Sequence, residues 1–72
     1  MNEMLDNAKR MLRILGDQPK HRTEWTLSAR GKKISTNQFN RLLPFLLKCG
    51  FVERLKWGVY KRTELGKRQA EL

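Results

Sequence analysis

Apolar residues recur along the first part of the chain at helical intervals. Met1, Met4, Leu5, Ala8, Met11, Leu12 and Leu15 fall at i, i+3, i+4, i+7 spacing, which predicts an amphipathic helix over about residues 2–15. Asn2 is placed to cap it, and Gly16-Asp17-Gln18-Pro19 to stop it. A second helix is predicted over about 23–30. Thr23-Glu24 can cap it and complement its dipole, Trp25 and Leu27-Ser28-Ala29 lie toward its buried side, and Gly31 ends it. Gly31-Lys32-Lys33-Ile34 then forms a tight basic connector. A third helix, about 35–49, carries the clearest stripe: Phe39, Leu42, Leu43, Leu46 and Leu47. Ser35 or Thr36 caps it, and Gly50 lies just past its end, where a left-handed residue is wanted. Pro44 cannot donate to the carbonyl four residues earlier, so a local bend facing solvent is expected.

After Gly50 the period becomes strand-like. Phe51-Val52-Glu53-Arg54-Leu55 and Val59-Tyr60-Lys61-Arg62 flank Lys56-Trp57-Gly58, a β-hairpin over 51–62. Thr63-Glu64 then caps a short helix, about 63–71, carrying Leu65, Ala70 and Leu72, with Gly66 weakening it. The fold class read from this pattern is mainly α with a small β-hairpin (α+β). Two helices joined by a short turn and followed by a two-stranded ribbon is the order of a winged helix-turn-helix, here a single domain over 1–72. Trp25 is read as core. Trp57 at the hairpin tip is expected to fold back over its own strands, the alternative being a stack on a sugar or a wedge against a minor groove.

Charge changes the picture from architecture to partner. Sixteen Lys and Arg against seven Asp and Glu give +9, and residues 1–19, with three of each sign, contribute nothing to it. A neutral first helix attached to a basic remainder suggests that one part packs or pairs while the other meets a polyanion. The first helix is therefore expected to pack on the core, with a dimer contact shared with that packing as the sharper alternative. Seventy-two residues bury only a modest core, poor material for an enclosed active site. One cysteine, Cys49, allows no internal disulfide and reads as a small buried hydrophobe. The pattern shows neither a signal peptide nor a bilayer-length apolar run, so a soluble, cytoplasmic, nucleoid-associated protein is expected.

Several short segments together resemble a known family. They are Arg22-Thr23-Glu24, Ile34-Ser35 to Gln38-Phe39, Leu42-Leu43 through Gly50-Phe51-Val52, and Tyr60 to Thr63-Glu64-Leu65-Gly66-Lys67. Over residues 8–72 the chain resembles the archaeal winged helix-turn-helix DNA-binding proteins, which include small transcriptional regulators and chromatin-associated proteins. The resemblance implies sequence-specific or architectural DNA binding, usually as a homodimer. Three departures carry expectations. Arg62 stands where such proteins put an aliphatic residue, so the second hairpin strand is expected to end early or tilt. The short hairpin loop limits the reach of the wing into a minor groove. The last helix is too short for a long coiled coil, which leaves the first helix as the dimer candidate.

The residues left over from the core stripe of the third helix suit a major groove. Asn and Gln pair bidentately with adenine and Arg with guanine, so Thr36, Asn37, Gln38 and Arg41 are the base-reading candidates. For the phosphate backbone the candidates are Lys20, Arg22, Arg30, Lys32, Lys33, Ser35, Asn40, Arg54, Lys56, Lys61 and Arg62, with Trp57 at the wing tip. His21 is the only histidine and is read as a backbone contact. With one Cys and one His there is no zinc set, and neither a phosphate loop nor a placed carboxylate pair is visible. No enzyme activity, metal, cofactor or small-molecule substrate is expected. The reading is thus a double-stranded DNA-binding protein, a regulator of transcription or an architectural protein. Its rivals are a protein–protein adaptor and, less well supported by so few free aromatics, an RNA binder. A membrane-surface role is set aside because the amphipathic helix is neutral.

Overall fold

The computed structural model describes residues 3–72, and the side-chain surroundings of residues 5–72. The elements are α1 (Glu3–Leu15), β1 (Lys20–His21), α2 (Arg22–Gly31), α3 (Thr36–Lys48), β2 (Val52–Lys56), β3 (Val59–Arg62) and α4 (Glu64–Glu71). Four helices thus pack with a three-stranded antiparallel sheet of order β1-β3-β2. Asn2, offered as a cap, and the Met1 and Met4 side chains of the apolar stripe lie outside the described residues. No helix among the described residues is long and apolar enough to cross a membrane.

The helix ends have local causes. α2 begins at Arg22 rather than Thr23, because the imidazole Nδ1 of His21 accepts the Thr23 N–H at 3.3 Å and the Arg22 N–H is taken by the Gly58 carbonyl at 2.7 Å. At its other end, the N–H of Lys33 donates to Arg30 O (3.1 Å) and that of Ile34 to Ala29 O (2.9 Å). This paired closure needs a left-handed residue, and Lys33 supplies it at φ 68. α3 opens with a reciprocal cap: Ser35 Oγ accepts the Gln38 N–H at 3.2 Å, and Gln38 Oε1 accepts the Ser35 N–H at 3.1 Å. It closes with the same paired bonds as α2, from Gly50 and Phe51 to Leu47 and Leu46, this time around a glycine at φ 77. Pro44 sits inside α3 on its exposed side, so the helix continues through it.

β1 is an element the pattern did not predict. Its two residues pair with β3, Lys20 with Tyr60 and His21 with Val59, and two residues carry no period that could be read beforehand. β3 runs through Arg62, which lies opposite Val52. The strand therefore does not end early.

The core draws on all four helices and the sheet. Met11, Leu12 and Leu15 of α1, Trp25 and Ala29 of α2, Ile34 of the turn, and Phe39 and Leu46 of α3 lose all exposure. Trp25 is the hub: its ring meets Phe39 edge-on at 4.9 Å and Tyr60 at 6.0 Å, and its Nε1 donates to Met11 O at 3.0 Å. α1 thus places Ala8, Met11, Leu12 and Leu15 of its apolar stripe in the core. Four apolar positions behave otherwise than the spacing implied. Leu27, Leu47, Leu65 and Leu72 are exposed, while α4 buries Gly66 and Ala70 instead, presenting its smallest residues to a close neighbour. Cys49 is half-buried at the C-cap of α3 rather than sealed in the core.

Arg62 explains why a cation can stand at an aliphatic seat. One guanidinium nitrogen reaches Asp17 Oδ1 at 2.6 Å and another the Leu12 carbonyl at 3.3 Å, and the side chain is only 12% exposed. The bond and charge of Arg62, with smaller contributions from Lys67 and Lys61, hold the Asp17 carboxyl below its ordinary 3.8. A carboxylate lowered on folding stabilises the fold fully above its unfolded pKa, and that contribution fades as pH falls through the folded value. Stability is therefore expected to drop with acidification below about pH 3.8. Asp17→Asn is expected to lower the urea midpoint at neutral pH and to flatten this acid limb. Parallel midpoint-versus-pH curves for the two proteins would refute the coupling.

Candidate nucleic-acid interface

The four buried residues of α3 (Phe39, Leu42, Leu43 and Leu46) share one side. At 100° per residue the opposite side is centred on Asn37, Arg41, Pro44 and Lys48, all exposed. Asn40 flanks it, while Thr36 lies about 110° from its centre, in the first turn. Lys48, which the sequence puts on this polar face without a base or phosphate of its own, lies seven residues from Arg41 on the same line.

The turn before α3 brings Arg30, Lys32 and Lys33 to the surface together. A lysine in the left-handed conformation costs about 1 kcal/mol that glycine would not. The connector is therefore shaped by Lys33 itself, and Lys32 holds it to α1 by accepting a hydrogen bond from Arg10 through its carbonyl oxygen. Between Glu24 and Glu53 the chain has no acidic residue, while Arg30, Lys32, Lys33, Arg41 and Lys48 carry positive charge. By contrast Asp17, Glu53 and Glu64 line one cleft with Lys61, Arg62 and Lys67, a cleft to which α3 contributes no residue.

Two hydrogen bonds join the hairpin tip to α3. Arg22 gives its backbone N–H to Gly58 O at 2.7 Å and its guanidinium to Asn40 Oδ1 at 2.8 Å. The start of α2 is thus a bridge between the turn of the hairpin and the outward side of α3. With its oxygen engaged, Asn40 presents its NH₂ as donor, which suits an anion more than an adenine.

Not every sequence candidate is free for a ligand. Lys20 Nζ donates to the Leu15 carbonyl at 3.2 Å, capping α1. Ser35 and Gln38 hold each other in the α3 cap, so Gln38 is a capping residue before it is a base reader. Arg62 is committed to Asp17 and Leu12. Among the described residues, Asn37, Arg41, Arg30, Lys33, Arg54, Lys56 and Lys61 make no side-chain hydrogen bond within the chain, and all are exposed. Trp57 is 89% exposed and does not fold back over its strands. The sheet offers the core only Val52 and Tyr60, and beyond them the imidazole of His21 already packs against Gly58. The Nδ1 of His21, a residue expected on the DNA backbone, accepts the Thr23 N–H as the cap of α2. No three His, Cys, Asp or Glu side chains among the described residues come together as metal ligands would. Comparison with protein-family models, with curated proteins and with solved structures gave no match.

Proposed function

We propose that the chain is a winged helix-turn-helix protein that binds double-stranded DNA, with α3 in the major groove and the β2–β3 hairpin as a wing on the flanking backbone. The observation that carries this reading is the bridge through Arg22, which holds the hairpin turn and the polar side of α3 as one surface. A B-DNA major groove about 12 Å wide admits one α-helix, and the side of α3 turned outward holds Asn37, Arg41 and Lys48 without a carboxylate. Asn37 and Arg41 are the base readers, with Thr36 before them in the first turn. Arg30, Lys32 and Lys33 in the turn and Arg54 and Lys56 in the wing meet phosphates, whereas Lys61 lies in the cleft with Asp17, Glu53 and Glu64. Arg22 and Asn40 fix the wing against α3. A homodimer would read two half-sites about one helical turn apart. Nucleoid association and gene regulation follow from this reading.

The test is fluorescence anisotropy with labelled duplexes of random and genomic sequence over a salt series, with sedimentation to give stoichiometry. Duplex binding with a steep salt dependence is expected. Asn37→Ala and Arg41→Ala should each reduce discrimination between preferred and random duplex by about 5- to 150-fold, the range for one bidentate base contact. Salt-dependent binding without discrimination would make the protein architectural rather than a sequence reader. Absence of duplex binding at low salt would reject the proposal. The exposed Leu27, Leu65 and Leu72 would then favour a protein-interaction module.

A further inference from the structure

Trp57 is the most exposed large apolar side chain among the described residues, at 89%, and it occupies the turn of the hairpin with Gly58. Leu55, two residues before it, is 49% exposed, and the β2–β3 register slips between Arg54 and Lys56, leaving Leu55 as the extra residue of a bulge. A bulge bends its strand and re-aims the side chains next to it. The end of the hairpin is therefore an apolar pair in a basic frame of Arg54 and Lys56. The tip is also held firmly: Gly58 accepts the Arg22 N–H, and the His21 ring lies against it. Exposed indole is costly to keep in water, and an apolar patch this small with cations around it does not suit a second copy of a +9 chain. It suits a polyanion that has apolar faces inside, which is a stacked duplex.

We propose, building on the DNA-binding reading, that Trp57 is a wedge that enters the minor groove beside the α3 site, partly unstacks one base step and bends the duplex. Apolar side chains inserted between base steps kink DNA by tens of degrees toward the major groove. Pyrimidine–purine steps unstack most easily. The chain therefore prefers sites with a TA or CA step at the wing's distance from the bases read by α3. Trp57 touches no core residue, so replacing it leaves the fold intact.

The experiment uses the intact protein, a duplex with dyes at its two ends, and tryptophan emission. Trp25 is sealed in the core, so emission quenched by DNA reports Trp57. Wild-type protein is expected to quench on binding and to bring the duplex ends closer. Trp57→Ala should lose the bend and bind about 5- to 150-fold more weakly, the range for one base–aromatic stack, with an unchanged salt slope. Trp57→Phe should recover part of the bend. Wild-type binding without end approach, or a Trp57→Ala complex as bent as the wild type, overturns the wedge while leaving the DNA-binding reading intact. Quenching by oligo-dT but not by duplex overturns it in favour of single-strand stacking. Absence of any duplex binding by the wild-type protein overturns both.

Discussion

Gly66→Ala is expected to destabilise the protein by at least about 3 kcal/mol, although the same change in an open helix stabilises by about 1 kcal/mol. Gly66 lies in the first turn of α4, where a Cβ would sit well under 3.0 Å from the Phe51 carbonyl oxygen and 2.8 Å from its carbonyl carbon. That carbonyl cannot step aside. It accepts the Thr63 N–H at 3.0 Å, its own N–H is tied to Leu46 O at 3.0 Å, and Thr63 Oγ1 holds the Gly50 carbonyl at 2.6 Å. Relief requires α4 to lift from the junction of α3 and β2, which opens Ala70 and the α1 face behind it. A chain of this size has roughly 4–11 kcal/mol of stability in all, so the variant should melt at least about 12 °C lower or be partly unfolded at room temperature. Gly31→Ala is the internal control. Nothing stands within 4 Å of its Cβ position and its φ is not left-handed, so it should gain about 0.5–1 kcal/mol. Thermal melts of the two variants should move in opposite directions. An upward shift in both would mean that helix propensity, not the approach of α4 to Phe51, governs Gly66.

Gly66 also shows where reading the sequence stops. In the sequence a glycine in a helical run signals a weak helix, because what it approaches, Phe51, is fifteen residues away in another element. The features that were legible are those whose cause is local. Ser35 and Gln38 are three apart before an apolar stripe, and Gly50 follows that stripe, so both ends of α3 could be read from neighbouring residues. The Phe39 to Leu46 spacing named its buried side for the same reason. β1 exists only because β3 runs beside it, so Lys20 and His21 carry no signature of their own. Leu27, Leu47 and Leu65 match helical spacing but find no partner, since the core of so small a chain is already filled by Trp25, Phe39 and α1. At the candidate site, residue type gave the chemistry but not the availability. Lys20 and Arg62 are as basic as Lys32, yet the first caps α1 and the second is bound to Asp17 and Leu12. Arg22 and Asn40, expected on the DNA backbone, bond to each other and bridge two elements.

That distinction sets up the largest effect expected on DNA. Neutralising Lys32, Lys33 and Lys56 together should reduce duplex affinity on the order of 500-fold near 0.1 M salt, with the slope of log affinity against log salt falling by about 2.7. Each phosphate contact contributes about 0.9 to that slope, and three contacts at a tenfold dilution from molar salt multiply to this factor. Lys33 is best replaced by Asn, which tolerates the left-handed conformation recorded at φ 68, and the other two by Gln. All three side chains are exposed, so thermal stability should be unchanged. The comparison is a second triple, Lys9→Gln, Lys67→Gln and Arg68→Gln, which removes as many charges from the same +9 chain. These residues stand on α1 and α4, and Lys67 lies in the cleft with Asp17, Glu53 and Glu64. If affinity came from net charge alone, both triples would lose equally. If DNA lies along α3 and the wing, the second triple should keep its slope within about one unit of the wild type, and only the first should release the duplex at moderate salt. Equal losses would remove α3 and the wing as the seat of binding.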